Sequence, residues 1–565
     1  MRHQKLLLIG IILLASILRL YLLGSAPVSL FGDEVDAGYN AFSLLKTGKD
    51  YNGNPWPIYS ESLGDFRPTA YMYTLIPGIV LFGLNNFSVR IIPALLGIIN
   101  IYLIYLLIKQ AISLVKKNQL PFIIRFNFPL LTALLLTITP WHIHFSRVAI
   151  EQTLYLTLLL LGTYAILKTL HHPNWGIIAG CFFALATYTY HAAKLFSPLL
   201  FFTLILVYRQ PLFKLPKKQL LLGGLTFVLI LVPLISDFFY GSGQNRFNSL
   251  TWYNHPKLIE EINYSRGQIT HLVSPLPRLF QNKLITYAQY WSKNYLMAFS
   301  LEYLFISGDA QQPRHSLPGF GLFYWWMLPF FLSGIYICWQ NKSLRFIKLI
   351  LFWLVLAPLP SSLTIDGGQH AIRHFSMVVP IIIIISMGFL YIYHLIKNSV
   401  YLKLFLYLMV ILASVNLLIY AQRYLYHYSQ TNYQQWQYGL IPAINKALAT
   451  ENKYDQIIIT RSFVHLPMLY YLFASQYDPN LLHLQFTASL SNSATTPPPT
   501  EQINKYHFKT INADDSYYPQ NSLYIASPWD RPKNWYLVDQ IASPDPMNDQ
   551  PLLLLLQTDS VKLQR

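Results

Sequence analysis

Repeated long apolar runs are the feature that most limits what this chain can fold into. Eleven such runs occur, at 6–23, 89–108, 126–140, 150–167, 175–190, 195–208, 219–237, 320–339, 347–363, 375–396 and 402–421. Many of them approach the roughly 20 residues that cross a bilayer as a helix. Only 12% of the residues are charged, about half the share in soluble domains. The sequence therefore predicts a mainly α, polytopic membrane protein of about eleven transmembrane helices.

The charged residues indicate which ends of the runs face the cytoplasm, because cytoplasmic loops collect Lys and Arg. We place the N-terminus inside and treat a further run, 69–83, as a juxtamembrane helix on the outer surface. All 24 carboxylates then fall outside or at the outer ends of spans, and the inside segments carry sixteen basic residues. The net charge of +17 is thereby explained by sidedness, without nucleic acid as a partner. This predicts a multi-pass protein of the plasma or inner membrane with a cytoplasmic N-terminus.

Two domains are predicted. Residues 1–421 form the transmembrane domain, with large outer loops at 25–88 and 239–318. Residues 422–565 are rich in polar residues and carry short strand-like runs at 456–460, 521–526, 535–540 and 552–556, preceded by a helical stretch at 436–449 and interrupted by a Pro-rich loop at 495–500. This pattern indicates a small α/β domain on the extracytoplasmic side.

Three carboxylates follow the first span, at Asp33, Glu34 and Asp36. On a helix, Asp33 and Asp36 would share a face. Neighbouring carboxylates repel each other, which suits a general base or a metal ligand. A solvated helix N-terminus with acidic residues explains the same pattern equally well.

Other charged residues stand at the same predicted outer border. Arg67 precedes Pro68 at the start of the run 69–83, where it could bind an anion or extend to lipid phosphates. Arg147 and Glu151 are four residues apart, a spacing that allows pairing on one helix face. Further polar groups occur at His142 and His144, at His191 and Lys194, at Asp309 to His315, and at Asp366, His370, Arg373 and His374.

Several classes of chemistry are disfavoured by what the sequence lacks. It contains no Walker-type glycine loop, no GxSxG elbow and no HExxH motif, which argues against nucleotide-driven, serine-hydrolase and zincin reactions. Its two cysteines lie inside apolar runs, so a disulfide framework and a Cys-rich metal site are excluded. His142 and His144 are spaced too closely to align well as a metal pair on a helix.

The polar motifs, taken in order, resemble those of the GT-C membrane glycosyltransferases of family 39. They are the Asp-Glu pair after the first span, Arg67-Pro68, a Phe-Gly turn at 82–83, the stretch Phe-Ser-Val-Arg-Ile-Ile-Pro at 87–93, and Pro140 through Arg147 with Glu151. That family includes protein O-mannosyltransferases and the aminoarabinose transferases that modify lipid A. The resemblance is good over 25–190 and looser over 300–390.

The resemblance implies transfer of a sugar from a polyprenyl-phosphate-linked donor to a protein, lipid or glycan acceptor outside the cytoplasm, usually with inversion. It implies catalytic roles for Asp33 and Glu34, with Asp33 as general base. It also implies donor-phosphate binding by Arg67, Arg373, Lys194 and His370, and orienting roles for Arg147 and Glu151. Glu151 stands where some members carry Asp. Some members bind a divalent metal ion and others need none, so metal use stays open.

Two functions of other classes fit parts of the sequence. A transporter or flippase for polyprenyl-linked sugars would also need cations near a phosphate, but it should show pseudo-symmetric halves and charge at mid-membrane. A catalytically silent scaffold would use its outer domain to bind a glycan or a partner. Sugar transfer in proteoliposomes would distinguish all three.

Overall fold

The structure, a computed structural model, describes residues 2–62, 65–115, 127–240, 256–268, 276–491, 497–510, 521–530 and 535–558. The predicted cytoplasmic residues Lys116, Lys117 and Arg125 lie outside the described residues, as do parts of the loop 239–318 and residues 495–496 of the Pro-rich loop.

The described chain forms two compact units. The first comprises 1–21, 93–146 and 151–421, and the second comprises 22–92, 147–150 and 422–565.

The described helices and strands follow one another along the chain with these bounds. The helices are α1 Arg2–Leu20, α2 Gly32–Thr47, α3 Ala70–Phe82, α4 Asn86–Ser113, α5 Phe128–Ile138, α6 Pro140–Phe145, α7 Gln152–Thr169, α8 Trp175–Ala186, α9 Ala193–Val207, α10 Arg209–Leu212, α11 Lys217–Tyr240, α12 Pro256–Gln268, α13 Leu276–Phe280, α14 Lys283–Met297, α15 Leu328–Gln340, α16 Arg345–Leu356, α17 Leu359–Ser362, α18 Val378–Ile396, α19 Tyr401–Gln422, α20 Tyr428–Thr431, α21 Leu440–Thr450, α22 Pro467–Ser475 and α23 Pro479–Ser491. The strands are β1 Tyr59–Ser62, β2 Asp65–Pro68, β3 Gln456–Thr460, β4 Gln502–Ile503, β5 Tyr506–Lys509, β6 Ser522–Ala526, β7 Trp535–Ala542 and β8 Pro551–Thr558.

Each of the eleven predicted spans contains a helix, so the mainly helical membrane fold is confirmed. Within the described residues, six helices are long and apolar enough to cross a membrane: Arg2–Leu20, Asn86–Ser113, Lys217–Phe239, Arg345–Ser362, Phe375–Ile396 and Tyr401–Thr431. The helices of the other runs are shorter or less apolar. The 11 residues of α5, for example, extend about 16 Å, roughly half of the hydrocarbon core.

Helix α3 occupies the run 69–83, which we predicted to lie on the membrane surface. It has 13 residues, and a helix of that length extends about 20 Å, which is too short to cross the hydrocarbon core. Helix α5, in a predicted span, is shorter still, so length alone does not distinguish a surface position from a crossing, and the juxtamembrane placement of α3 stays a prediction.

Close glycine packing joins α15 and α18 in the first unit. A Cβ atom added to Gly388 would collide with the carbonyl oxygen of Phe330, and one added to Gly334 would collide with the carbonyl oxygen of Ile384. Helices in lipid associate through van der Waals packing, for which small residues allow the backbones to approach. These two glycines therefore set the distance between the helices.

The second unit contains a six-stranded sheet with the order β4-β5-β3-β6-β8-β7. Strand β3 pairs in parallel with β5 and β6, whereas the other neighbours are antiparallel. All four predicted strands form. Helix α21 begins four residues later than predicted, because Gln437 and Gly439 have φ values of +50° and +113°, which no α-helix accommodates.

Residues of the first outer loop and of the C-terminal segment pack together within the second unit. The Tyr39 hydroxyl on α2 donates a hydrogen bond to the Tyr477 carbonyl oxygen at 2.8 Å. His483 Nε2 lies 2.7 Å from the Asp50 carbonyl oxygen. A Cβ atom added to Gly38 would lie only 3.0 Å from Phe473. The sequence did not predict that this unit would include the first loop.

Replacing Gly388 by Leu should separate α15 from α18. We expect a loss of about 1–3 kcal/mol or more, typical of overpacking, seen as a lower melting temperature of the detergent-solubilised protein. Gly224→Leu is the matched control, because nothing lies within 4 Å of a Cβ atom added there. Equal melting temperatures for the two variants would contradict the packing described.

Candidate active site

The second unit contains a buried ion pair between Glu34 and Arg90. Arg90 Nε donates to Glu34 Oε1 at 2.9 Å, and Arg90 Nη2 donates to Glu34 Oε2 at 2.9 Å. Both side chains are fully buried. Two parallel N–H···O bonds of this kind fix the relative orientation of both groups.

Backbone groups form further hydrogen bonds with both members of this pair. Glu34 also accepts bonds from the Ala149 amide at 2.8 Å and from the Phe31 amide at 3.3 Å. Arg90 donates to the carbonyl oxygens of Pro27 at 2.7 Å and Ser29 at 2.5 Å. A buried charge is tolerated when it is both paired and hydrogen-bonded. The pair thus ties α2 and α4 to the segments at 26–31 and 147–150.

Aromatic rings from the C-terminal segment cover the two buried arginines of this unit. The Arg90 guanidinium carbon is 5.7 Å from the ring centroid of Trp436, and that of Arg147 is 5.5 Å from the ring centroid of Tyr424. Arg147 Nη2 also donates to the Ala26 carbonyl oxygen at 3.0 Å. Cation–π contacts of this kind gain strength where water is excluded.

Asp33 differs from its neighbour Glu34 because it is partly exposed. Its Oδ1 atom accepts a hydrogen bond from Arg67 Nη2 at 2.5 Å, and 34% of the Asp33 side chain and 26% of the Arg67 side chain remain accessible. No described residue donates a hydrogen bond to the Oδ2 atom. The pair therefore presents a carboxylate oxygen and a guanidinium side by side at an accessible position.

The β1–β2 hairpin positions Arg67 opposite α2. Arg67 pairs with Ser60 across the hairpin, and the Ser60 hydroxyl donates to Asp50 Oδ2 at 3.1 Å. Asn40 on α2 accepts a hydrogen bond from the Tyr51 amide at 3.2 Å. Burial, together with the nearby carboxylates of Asp36, Asp50 and Glu61, raises the pKa of Tyr51 well above its usual value, so its hydroxyl stays protonated.

One local prediction for this loop was wrong. Arg67 and Pro68 end strand β2 instead of starting a helix, and α3 begins at Ala70, because hairpin pairing extends to the Thr69 amide. Asp36 lies on α2 three residues after Asp33, the spacing that the sequence predicted to place both on one helix face, but it does not share the exposure of Asp33. It is fully buried, and its Oδ1 atom accepts from Asn40 Nδ2 at 3.2 Å.

The helix on which Arg147 and Glu151 were expected to share a face does not form, and the pairing of their side chains stays a prediction. Helix α6 ends at Phe145 and α7 begins at Gln152, so both residues lie in the turn between them. A single residue, Thr139, separates the end of α5 from Pro140 at the start of α6. The chain then passes through a turn before α7 begins. Arg147 belongs to the second unit and Glu151 to the first.

Arg373 lies in the turn that precedes α18 in the first unit. Arg373 Nη1 is 2.5 Å from Asp366 Oδ1, and Arg373 Nη2 is 3.3 Å from Asp366 Oδ2. Nη1 also donates to Thr364 Oγ1 at 2.5 Å. The Arg373 side chain is 11% exposed, against 57% for Asp366. An anion that binds Arg373 must therefore compete with Asp366.

Two histidines, His370 and His374, lie on either side of Arg373 in this turn. Burial, with Arg373 as the next cause, holds the pKa of His370 well below its usual value and lowers that of His374 to about 3. Both imidazoles are consequently neutral at physiological pH. Lys194, in the first turn of helix α9, has its Nζ atom 3.2 Å from His191 Nδ1.

The structure thus brings together some of the predicted site residues. Asp33 contacts Arg67, and Glu34 lies beside Asp33 in the second unit, which also contains Arg147. Arg373, His370, Lys194 and Glu151 belong to the first unit. Sequence analysis missed the role of Arg90, although an arginine inside an apolar run signals a buried partner.

The sequence matches one family model, described as dolichyl-phosphate-mannose-protein mannosyltransferase, over residues 67–236. This match begins at Arg67 and overlaps most of the region in which the ordered motifs occur. The resemblance to GT-C membrane glycosyltransferases is thereby confirmed for this part of the chain. No curated protein sequence matches the chain.

Three solved structures are similar in outline. The apo oligosaccharyltransferase of Archaeoglobus fulgidus has a TM-score of 0.49 and 13% identity, over 83% of this chain and 63% of the other. This chain thus spans less than two thirds of its length. ArnT from Cupriavidus metallidurans bound to undecaprenyl phosphate has a TM-score of 0.47 and 14% identity, over 98% of both chains. The S. cerevisiae Pmt1-Pmt2 complex bound to the sugar donor has a TM-score of 0.32 and 16% identity, over 44% of this chain and 36% of the other.

Removing one charge of the buried pair should destabilise the protein strongly. Glu34→Gln leaves Arg90 as an uncompensated buried cation, at an expected cost of about 3–5 kcal/mol, measurable as a large drop in melting temperature. Asp539→Asn is the matched control, because it breaks the Lys446–Asp539 pair, whose side chains are 43% and 45% exposed. That change should cost about 0–1 kcal/mol. Similar losses for both variants would refute the structural role of Glu34.

Proposed function

We propose that this chain is an integral-membrane glycosyltransferase that moves a sugar from a polyprenyl-phosphate-linked donor to an acceptor on the extracytoplasmic face. The observation that carries the proposal is the partly exposed Asp33–Arg67 pair, which combines a candidate base with a candidate phosphate ligand. The description of the matching family, which names a dolichyl-phosphate sugar, supports the donor class. Protein, lipid and glycan acceptors are all compatible with this chemistry.

Asp33 is the general base of the proposed reaction. It takes the proton from an acceptor hydroxyl or amine while that atom forms a bond to the anomeric carbon of the sugar. The bond between the anomeric carbon and the phosphate oxygen breaks, and its electron pair leaves with the polyprenyl phosphate. This single displacement inverts the anomeric configuration. Because the leaving phosphate is a stable anion, the reaction needs cations near it more than it needs a strong acid.

Arg67 contacts the donor phosphate in this mechanism. Its guanidinium reaches Asp33 through Nη2 alone, whereas guanidinium groups can bind phosphate through two parallel hydrogen bonds. We infer that the donor phosphate competes with Asp33 for Arg67. Donor binding then releases the carboxylate for proton transfer just when the sugar is in place.

Glu34 is a positioning residue in this proposal, and this replaces the catalytic role that the resemblance implied. All four of its described hydrogen bonds come from protein N–H groups, and the side chain is fully buried, so it presents no oxygen to a substrate. Its contact with Arg90 holds the start of α2 and thus the orientation of Asp33. Arg147 has a similar supporting position through the Ala26 carbonyl oxygen.

The predicted phosphate-binding roles of Arg373 and Lys194 and the orienting role of Glu151 stay part of the proposal and rest on the resemblance. The same holds for His370, whose lowered pKa removes its positive charge but leaves a ring N–H that can donate a hydrogen bond to phosphate. The positive-inside bias of the sequence supports a cytoplasmic N-terminus and a reaction on the opposite face of a plasma or inner membrane.

Asp33→Asn should remove the base while keeping the shape of the site. We expect kcat to fall about 10²–10⁴-fold in proteoliposomes that contain a labelled polyprenyl-phosphate sugar, with the melting temperature unchanged. Asp478→Asn is the matched control, because it removes one carboxylate from the C-terminal segment of the same unit. Turnover near that of the wild type would end the assignment of Asp33.

A transporter would move the labelled lipid across the bilayer and leave the sugar on its carrier.

Arg67→Gln should weaken donor binding, because it removes a cation from the phosphate. The expected result is a higher KM for the labelled donor, with the KM for the acceptor little changed. Lys49→Gln is the control, since it removes one positive charge from an exposed position of the same outer loop. An unchanged donor KM in Arg67→Gln would exclude Arg67 from the phosphate site.

A further inference from the structure

Three potential metal ligands converge in the first unit. They are Asp309 and His315, from the end of the large outer loop, and His370, from the turn before α18. One ligand atom from each lies within 4.8 Å of the others. His315 Nδ1 is 2.9 Å from Asp309 Oδ2, and the rings of His315 and His370 have centroids 4.9 Å apart.

The carboxylate of Asp309 is held in place by the surrounding backbone. Its Oδ1 atom accepts from the Gln312 amide at 3.1 Å, and its Oδ2 atom accepts from the Ala371 amide at 3.0 Å. The Asp309 amide itself donates to Ser316 Oγ at 2.8 Å. The side chain is almost completely buried. Metal ligands that are fixed by such outer contacts bind more tightly, because less order has to be created on binding.

His370 supplies an independent sign of a ligand. Its Nδ1 atom is buried, and it has no hydrogen-bond partner among the described residues. A buried imidazole nitrogen without a partner costs free energy. An ion bound by this nitrogen would remove that cost.

We propose that Asp309, His315 and His370 bind one Zn²⁺ ion. Two imidazole nitrogens and one carboxylate oxygen are ligands that Zn²⁺ accepts, whereas Ca²⁺ and Mg²⁺ prefer oxygen alone. Bonds of 2.0–2.2 Å in a tetrahedron put ligand atoms roughly 3.4 Å apart, so small side-chain rotations bring the three groups into place. His315 binds through one ring nitrogen and keeps its proton on the other. The fourth position is left for water or another ligand.

The ion connects two segments that are far apart in sequence. It joins the end of the outer loop to the turn that also carries Arg373, three residues after His370. The binding of Zn²⁺ would therefore order this turn and fix the backbone from which Arg373 extends. This assignment gives His370 a role that does not depend on the proposed glycosyltransferase activity.

The test is metal binding by the full-length protein in detergent, after chelator treatment and removal of the chelator. We expect the wild-type protein to bind about one equivalent of Zn²⁺, measured by elemental analysis, and to give the visible absorption bands of a tetrahedral site with Co²⁺. His370→Gln should lose both. The matched control, His172→Gln, changes an exposed histidine and should retain both.

Two results would overturn the proposal. The first is a wild-type protein that, once supplied with Zn²⁺, retains much less than one equivalent. The second is equal Zn²⁺ binding by His370→Gln and His172→Gln. Because the first result comes from the wild-type protein, it does not depend on whether the variant folds. Melting temperatures with and without Zn²⁺ check the variant, since only a bound ion should raise them.

Discussion

The buried pair of Glu34 and Arg90 is the interaction on which the second unit depends. Desolvating two charges is costly, and the cost is offset only where every donor and acceptor finds a partner. Here the carboxylate receives four hydrogen bonds, and the guanidinium also binds two backbone carbonyl oxygens. These contacts bring together segments that no local sequence pattern connects. The start of α2, and Asp33 with it, is fixed as a consequence.

Two adjacent carboxylates thus acquire different roles from their surroundings. Glu34 points into the unit and is saturated by N–H groups, while Asp33, one residue earlier, remains partly exposed and contacts a single arginine. Adjacent residues on a helix point about 100° apart, so one can face a core and the other a cleft. The rigid neighbour gives the exposed carboxylate a defined position, which general base catalysis requires.

Much of the fold follows from patterns that the sequence displays directly. Long apolar runs locate the helices, and short strand-like runs locate the strands β3, β6, β7 and β8. Contacts between distant segments were harder to predict. Arg90 stands in an apolar run, and only the folded chain shows that it reaches Glu34. The start of α21 was placed too early because positive φ values at Gln437 and Gly439 are not readable from residue types alone. The sequence identified the charged residues of the candidate site, but it did not show which of them would be buried.

Competition between Asp33 and the donor phosphate for Arg67 is the central claim about function. The most direct measurement is the equilibrium affinity for polyprenyl phosphate without a sugar, compared between the wild-type protein and Asp33→Asn. Removing the competing carboxylate should make the lipid bind more tightly, even though this variant cannot act as a base. An affinity that is unchanged or weaker in Asp33→Asn would contradict the account.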